Sequence, residues 1–271
     1  MMIDLSVVIA AKNEARHLPA QLLAVQTQGV MPTEIILVDD GSTDGTHEIM
    51  WQFQRAVKSI SVRLIPTTGI GAMAAYNLGV KRSSSAYVYC ASANDVIQPG
   101  AFAAIEQAMQ MFPGADLIAG NVSGCDLGWA REPTYLIGQY VTKRLGHAGI
   151  IHGAGAIVSR RAWDSVGDWQ ADVGPYCDAL MWHTLVARHG CVYTPRTVAW
   201  VRPNAPGKGY GGSVVFDAQK RRPYLEAFAR HVMAMGEPAR SHLLSSGLWD
   251  IAEFSPDMRE ILVVRHSEMT V

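Results

Sequence analysis

The chain has 271 residues, 49% hydrophobic and 17% charged, with 23 Lys and Arg against 24 Asp and Glu for a formal net charge of −1. That length suffices for a sizeable core without disulfides or structural metals, as one elaborated α/β domain or two smaller ones. The composition excludes a disordered chain and a protein that grips nucleic acid through bulk positive charge. It also lacks the apolar run of about 18 residues that a transmembrane helix needs. Met1 to Glu14 has neither a basic region nor a small-residue cleavage site, which predicts a cytoplasmic protein without a signal peptide. Cys90, Cys125, Cys177 and Cys191 are widely spaced and match no zinc pattern, so they read as reduced thiols.

Two hydrophobic periods alternate through the first half. Leu5–Ala10 is a continuous apolar run, as expected of a parallel strand covered on both faces. Glu14 to Gln28 carries Leu18, Leu22, Leu23 and Val25 at helical spacing, stopped by Gly29 and Pro32. Glu34–Val38 is a second strand, and Thr43 or Asp44 can cap the helix after it. A strand at Val62–Ile65, a helix at Gly71–Lys81 and a strand at Ala86–Cys90 follow, then a helix from Pro99 to about Met111 and a strand at Asp116–Ala119. Beyond Gly120 the pattern weakens. It predicts a helix at Tyr135–Arg144, a strand at Ala154–Ser159 and a helix at Asp178–His189. Short strands at Val192–Thr194 and Val198–Val201 precede a Gly-rich loop at Pro203–Gly212. The last predicted helix is Ala218–Met235, with Pro223 as a break or kink.

Repeated strand–helix–strand units argue an α/β fold with a mostly parallel sheet, in which ligands collect at the carboxyl ends of the strands. Four loops are picked out by that rule: Ala11–Glu14, Asp39–Asp44, Pro66–Gly71 and Ser92–Asp95. Each is polar or Gly-rich, and a carboxylate directly after an apolar strand needs a partner such as a ligand hydroxyl, a base edge or a cation.

The run Leu5-Ser-Val-Val-Ile-Ala-Ala-Lys-Asn-Glu14, then Ile36-Leu-Val-Asp-Asp-Gly-Ser-Thr-Asp44, resembles the opening of family-two glycosyltransferases. The resemblance continues through Tyr76-Asn77-Leu-Gly79, Asn94-Asp95-Val-Ile-Gln-Pro-Gly100 and Gly153–Arg161, covering about residues 3 to 200. It implies a GT-A fold, a Rossmann-like sheet flanked by helices, here with a helical C-terminal appendage. The implied division is a catalytic domain over 1–202 and a loop and helical extension over 203–271. The implied reaction moves a sugar from a nucleotide diphosphate sugar, UDP-linked, to an acceptor hydroxyl with inversion, in glycan or cell-envelope polysaccharide synthesis. By position Ala11, Asn13, Glu14, Asp39, Asp40, Gly71, Asn77 and Asn94 would hold the nucleotide. A carboxylate can accept the uracil N3–H or a ribose hydroxyl, and the helix after Gly71 favours an anion at its N-terminus.

The family's Asp-x-Asp stands here as Ser92-Ala93-Asn94-Asp95, which leaves Asp95 for a Mg2+ or Mn2+ ion. With those charges lost, the cation is expected to be carried in mostly by the diphosphate, or the activity to depend weakly on metal. Asp178 fits the general base that takes the acceptor proton, with Asp172 and His183 in reserve.

Competing readings stay open. A non-catalytic sugar-nucleotide-binding or scaffold protein would also tolerate the altered acidic motif. Gly69-Ile-Gly71-Ala-Met-Ala74 matches a dinucleotide fingerprint, but it follows the third strand and the first turn lacks glycine. Arg160-Arg161 reads as a solvated strand end or as a diphosphate neutraliser. Lys220-Arg221-Arg222 and the apolar positions after it read in two ways. One is a peripheral contact with the inner face of a membrane carrying a lipid-linked acceptor; the other is a helix packed on the domain or against a second copy.

Overall fold

The computed structural model describes residues 2–122, 132–136, 151–202, 217–237, 239–245 and 261. The expected Gly-rich loop at 203–212, residues 137–144 of the expected helix, and Cys125 lie outside them. In chain order the strands are β1 (Met2–Ala11), β2 (Met31–Asp39), β3 (Ser61–Pro66), β4 (Tyr87–Ser92), β5 (Val96–Ile97), β6 (Leu117–Val122), β7 (Thr134–Leu136), β8 (Ala156–Ser159) and β9 (Cys191–Trp200). The helices are α1 (Leu18–Gln26), α2 (Thr46–Ala56), α3 (Ala72–Arg82), α4 (Ala101–Met111), α5 (Arg160–Val166), α6 (Cys177–His189), α7 (Ala218–Ala234) and α8 (Ala239–Ser245). Tyr135 and Leu136, expected in a helix, belong to β7.

The chain forms two compact units. The first comprises Met1–Tyr135, His152–Trp169 and Cys191–Arg202. Its sheet runs β3-β2-β1-β4-β8-β6-β9-β5. The ladders β3–β2, β2–β1, β1–β4 and β6–β9 are parallel, whereas β8 pairs antiparallel with both β4 and β6. Two reversals cancel, so β6 and β9 point the same way as β1, β2 and β4, and their carboxyl ends share one edge. The strand positions Leu5, Val7, Ile9, Ile35 and Leu37 pack with Leu18, Leu22 and Val25 of α1, Met50 of α2 and Phe102 and Ile105 of α4. On the opposite face α3 lies against β1 and β2, where a Cβ at Gly79 would come within 2.3 Å of Val8 Cγ1. Burial of both faces is why these strands read as unbroken apolar runs.

β8 also corrects one expectation. Its carboxyl end pairs with the amino end of β4, Ser159 opposite Tyr87, so Arg160 and Arg161 leave from the edge away from the loops singled out above. Arg160 donates to the Ser85 and Val80 carbonyls and to Ser83, and Arg161 pairs with Asp116 at 2.6 Å, so neither serves a diphosphate at the other edge.

The second unit comprises Leu136–Ile151, Gln170–Gly190 and Pro203–Val271. There α7 continues through Pro223 without a break. Asp217 caps it by accepting from the Gln219 and Lys220 amides at 3.1 and 3.2 Å. Leu225, Phe228 and Val232 are fully buried. At about 1.5–3 kcal/mol each, they outweigh the ~3 kcal/mol that an interior proline costs. The apolar side of the basic stretch is therefore packed inside its own unit. No helix among the described residues is long and apolar enough to cross a membrane.

Candidate functional site

The shared carboxyl edge of the first unit gathers Ala11, Asp39, Pro66, Ser92 and Trp200, the last residues of β1, β2, β3, β4 and β9. Loops leaving it are tied together by short polar side chains. Asn13 adopts a left-handed φ of 58°, which asparagine tolerates better than most residues. Its N–H donates to Ser42 Oγ at 3.0 Å, and its Oδ1 accepts from the Thr43 N–H at 2.8 Å. The Glu14 N–H donates to Thr46 Oγ1 at 2.8 Å, and Glu14 Oε2 lies 2.9 Å from His17 Nδ1. Asp44 accepts from the Ala15 and Thr46 amides and the Thr46 hydroxyl. Desolvation raises its carboxyl, but those hydrogen bonds win and hold it below the ordinary range. Helix α1 accordingly begins at Leu18, because Glu14 turns the chain by accepting the His17 and Leu18 amides on its carbonyl.

Asp39 and Asp40 are both about 4% exposed, yet they face different partners. Asp40 Oδ1 accepts from Thr67 Oγ1 at 2.7 Å and from the Ile70 N–H at 2.6 Å, and Oδ2 accepts from the Gly71 N–H at 3.0 Å. The anion expected at the N-terminus of α3 is thus the chain's own Asp40 carboxylate, which also fills the place a dinucleotide pyrophosphate would need. Asp39 is less committed. Its Oδ1 accepts from the Ser42 N–H at 3.0 Å, and its Oδ2 meets His47 Nδ1 at 2.9 Å, where His47 is half exposed.

Two glycines allow the close approach of these loops. A Cβ on Gly41 would lie 2.9 Å from the Gly69 nitrogen, and one on Gly69 would lie 3.2 Å from Lys12 Nζ; both have left-handed φ. Asn77 is engaged elsewhere: its Nδ2 donates to the Trp169 carbonyl and its Oδ1 accepts from the Trp169 N–H, both at 3.0 Å. Asn77 therefore anchors the Trp169 turn, on which Tyr76 packs edge-on at 5.0 Å between ring centres.

On the fourth loop the Ser92 hydroxyl donates to Asn94 Oδ1, so these two neutral side chains face each other. Asp95 is buried, and its Oδ1 accepts from the Arg202 backbone N–H at 2.9 Å. Burial pushes its carboxyl above the ordinary range. The Arg202 N–H and the charges of His152 and Arg202 oppose that push, and Glu14 adds to it. Arg202 Nε donates to the Asn94 carbonyl at 3.2 Å, and its guanidinium lies 5.1 Å from the centre of the Trp200 ring. These residues do not fit a protein-held Mg2+ or Mn2+. Such ions want several oxygen ligands, and this loop offers one carboxylate that already accepts an amide and sits in the field of a guanidinium. Among the described residues no group of three His, Cys, Asp or Glu side chains is placed to hold a metal.

The remaining sequence candidates lie in the second unit. Asp178 stands in the first turn of α6, with its Oδ1 accepting from the Ala179 N–H at 2.7 Å. Asp172 is half exposed and meets His231 Nε2 at 3.0 Å, and His183 is buried. Lys12, His47, Thr67 and Arg202 join this rim without being singled out by a sequence motif of their own. Lys12 already lay within the first loop singled out. Arg202 carried a usable signal, a basic residue directly after the expected strand Val198–Val201, and its significance depends on the direction of β9.

The model for glycosyl transferase family 2 matches residues 6–164. A poly-beta-1,6-N-acetyl-D-glucosamine synthase of Staphylococcus epidermidis is 26% identical over 211 residues, which are 73% of this chain and 49% of that protein. The chain thus spans about half the length of this relative. Among solved structures, S. aureus TarS 1-349 in complex with UDP-GlcNAc superposes with a TM-score of 0.69 at 12% identity, covering 96% of this chain and 80% of that one. The mannosyltransferase PcManGT of Pyrobaculum calidifontis, in complex with GDP-Man and Mn2+, gives 0.67 at 18% identity over 97% and 75%. These likenesses confirm the GT-A fold, and the family match covers both the Asp39–Asp40 loop and the Asp95 loop. The chain belongs to glycosyl transferase family 2.

Proposed function

We propose that the protein transfers a sugar from a UDP-linked donor to an acceptor hydroxyl, with inversion at the anomeric carbon, in glycan or cell-envelope polysaccharide synthesis. The observation that carries this reading is the pair Asp39 and Asp40 at one strand end, the second saturated by its own loop and the first held by only one amide and the half-exposed His47. Asp39 takes the nucleoside, with Ala11, Asn13 and Glu14 lining the same edge. Asp40 and Gly71 hold the loop that shapes it, and Asn94 and Asp95 border the diphosphate. Residues 1–202 form the catalytic part and 203–271 an extension. The UDP-GlcNAc in one fold relative and the polymer named for the curated relative support a uridine donor, with a guanosine donor as the rival.

In the transfer, the Asp178 carboxylate removes the acceptor hydroxyl proton as that oxygen attacks the anomeric carbon. The carbon–oxygen bond to the diphosphate breaks on the opposite face, and the nucleoside diphosphate leaves with the electron pair. No step is routed through a metal; a Mg2+ or Mn2+ ion, where one takes part, arrives with the diphosphate. The acceptor is a glycan or a lipid-linked sugar, and the basic turn Lys220-Arg221-Arg222 is the place for an anionic membrane surface.

The paired Ser92 and Asn94 favour a second reading, a sugar-nucleotide-binding protein without turnover. Donor hydrolysis and transfer, assayed with and without Mn2+, separate the two. Tight UDP binding with no turnover of any donor at any metal level refutes the enzyme. Asp178→Asn is expected to abolish transfer and leave UDP affinity within about twofold, since a general base supplies 10²–10⁴-fold of rate and little ground-state binding. Retained transfer removes Asp178 from the mechanism.

A further inference from the structure

The geometry points to Arg202 as the fixed positive charge that receives the donor diphosphate, in the place a divalent cation would take. The inference rests on the nucleotide diphosphate reading above and adds to it the group that binds the phosphates. Ser92 and Asn94 are neutral and turned on each other, and Asp95 is a single buried carboxylate. A diphosphate arriving there still brings negative charge into a partly desolvated edge, and something must neutralise it.

Arg202 is placed to do so. It lies two residues beyond β9, whose direction matches that of β1, β2 and β4, so it emerges at the edge that carries Ala11, Asp39 and Ser92. Its Nε on the Asn94 carbonyl and its stacking on Trp200 fix the plane of the guanidinium. Among the described residues its two Nη groups make no hydrogen bond, which leaves the end of the fork for an oxyanion. Asp95 responds electrostatically to both Arg202 and Glu14, which joins this corner to the first nucleotide loop. Arginine stays charged at any working pH and binds phosphate oxygens in a two-pronged geometry that an ammonium group does not reproduce.

The hydrogen bond to Asp95 comes from the Arg202 backbone N–H, not from its side chain. Substitution of the side chain therefore leaves Asp95 capped, and a binding role separates cleanly from an architectural one. Calorimetric titration of the full chain with UDP and with uridine, in EDTA and in Mn2+, provides the test. For the wild type, UDP affinity is expected to change less than about threefold between EDTA and Mn2+. Arg202→Ala is expected to weaken UDP by about tenfold or more and to leave uridine within about twofold, with Arg202→Lys recovering only part. Equal weakening of UDP and uridine by Arg202→Ala overturns the inference in favour of a structural role. Wild-type UDP binding that collapses in EDTA and returns with Mn2+ also overturns it and leaves the donor reading intact. A wild type that binds neither UDP nor GDP nor their nucleosides overturns both.

Discussion

Replacing Asp40 by Asn should cost stability, whereas the same change at Asp39 should cost binding. Asp40 Oδ1 receives the Thr67 hydroxyl and the Ile70 amide at 2.7 and 2.6 Å, and Oδ2 receives the Gly71 amide at 3.0 Å. An asparagine placed to keep both Oδ1 bonds turns its own NH2 onto the Gly71 N–H, donor against donor. One charge-assisted bond, worth about 1.5–3 kcal/mol, is lost, and the two that remain weaken to neutral strength. The sum is about 3 kcal/mol, or roughly 6–12 °C in Tm for a chain of this size. At Asp39 an asparagine keeps the Ser42 amide on Oδ1. Its other contact, to half-exposed His47, is screened, so the loss is about 1 kcal/mol or less. UDP titration should rank them in reverse: Asp39→Asn about tenfold weaker or more, and Asp40→Asn near wild type below its melting range. Urea unfolding and calorimetric titration of both variants supply the four values. Equal destabilisation, or a fully folded Asp40→Asn protein that has lost UDP while Asp39→Asn retains it, refutes the division of labour.

Two further outcomes concern the scaffold. Gly79→Ala sets a Cβ 2.3 Å from Val8 Cγ1 and 3.3 Å from Val38 Cγ2. Overpacking of about 1–3 kcal/mol should exceed the ~1 kcal/mol gained in helix propensity, and a urea midpoint at or above wild type would contradict the tight α3 packing. At the other edge, Glu34 accepts from Ser6 Oγ at 2.7 Å, Ser84 Oγ at 3.0 Å, the Ser84 amide and Arg63. Burial raises its carboxyl, but these donors overcome that and hold it below its ordinary 4.5. The unfolded chain therefore takes up this proton first. The stabilisation is complete above about pH 4.5 and is lost as pH falls through the lower folded value. Urea midpoints between pH 3 and 6 should show a steeper acid decline in the wild type than in Glu34→Gln; parallel declines would remove Glu34 as a source of acid lability.

The sequence made the first half of the sheet readable because β1, β2 and β4 are buried on both faces and so carry apolar runs that only a covered strand keeps. β9 was less readable. Its middle, Pro195-Arg196-Thr197, faces outward between the buried stretches Cys191–Thr194 and Val198–Ala199, so it reads as two strands although the chain runs as one. Hydrophobic period records burial and says nothing of direction, which is why antiparallel β8 and the fate of Arg160 and Arg161 were invisible. The aspartate pair was legible as two carboxylates at the carboxyl end of a strand, but the division between its members was not. It depends on which amides fold back toward each carboxylate: Asp39 receives that of Ser42, three positions on, whereas Asp40 receives those of Ile70 and Gly71, 30 and 31 positions on. Asn77 shows the same limit, since an asparagine that serves a ligand and one that clamps a backbone turn look alike in a string of letters.

The antiparallel course of β8 has a consequence for how such a protein changes over time. Val122 leaves β6, and His152 approaches β8, at one and the same rim, the rim that holds the aspartates. The sequence from 123 to 151 thus has both anchor points on that rim, and between them β7 returns to the sheet beside β9. Substitutions between those anchors leave the β4–β8 and β8–β6 ladders, and with them the register of the rim, to be set by the strands on either side.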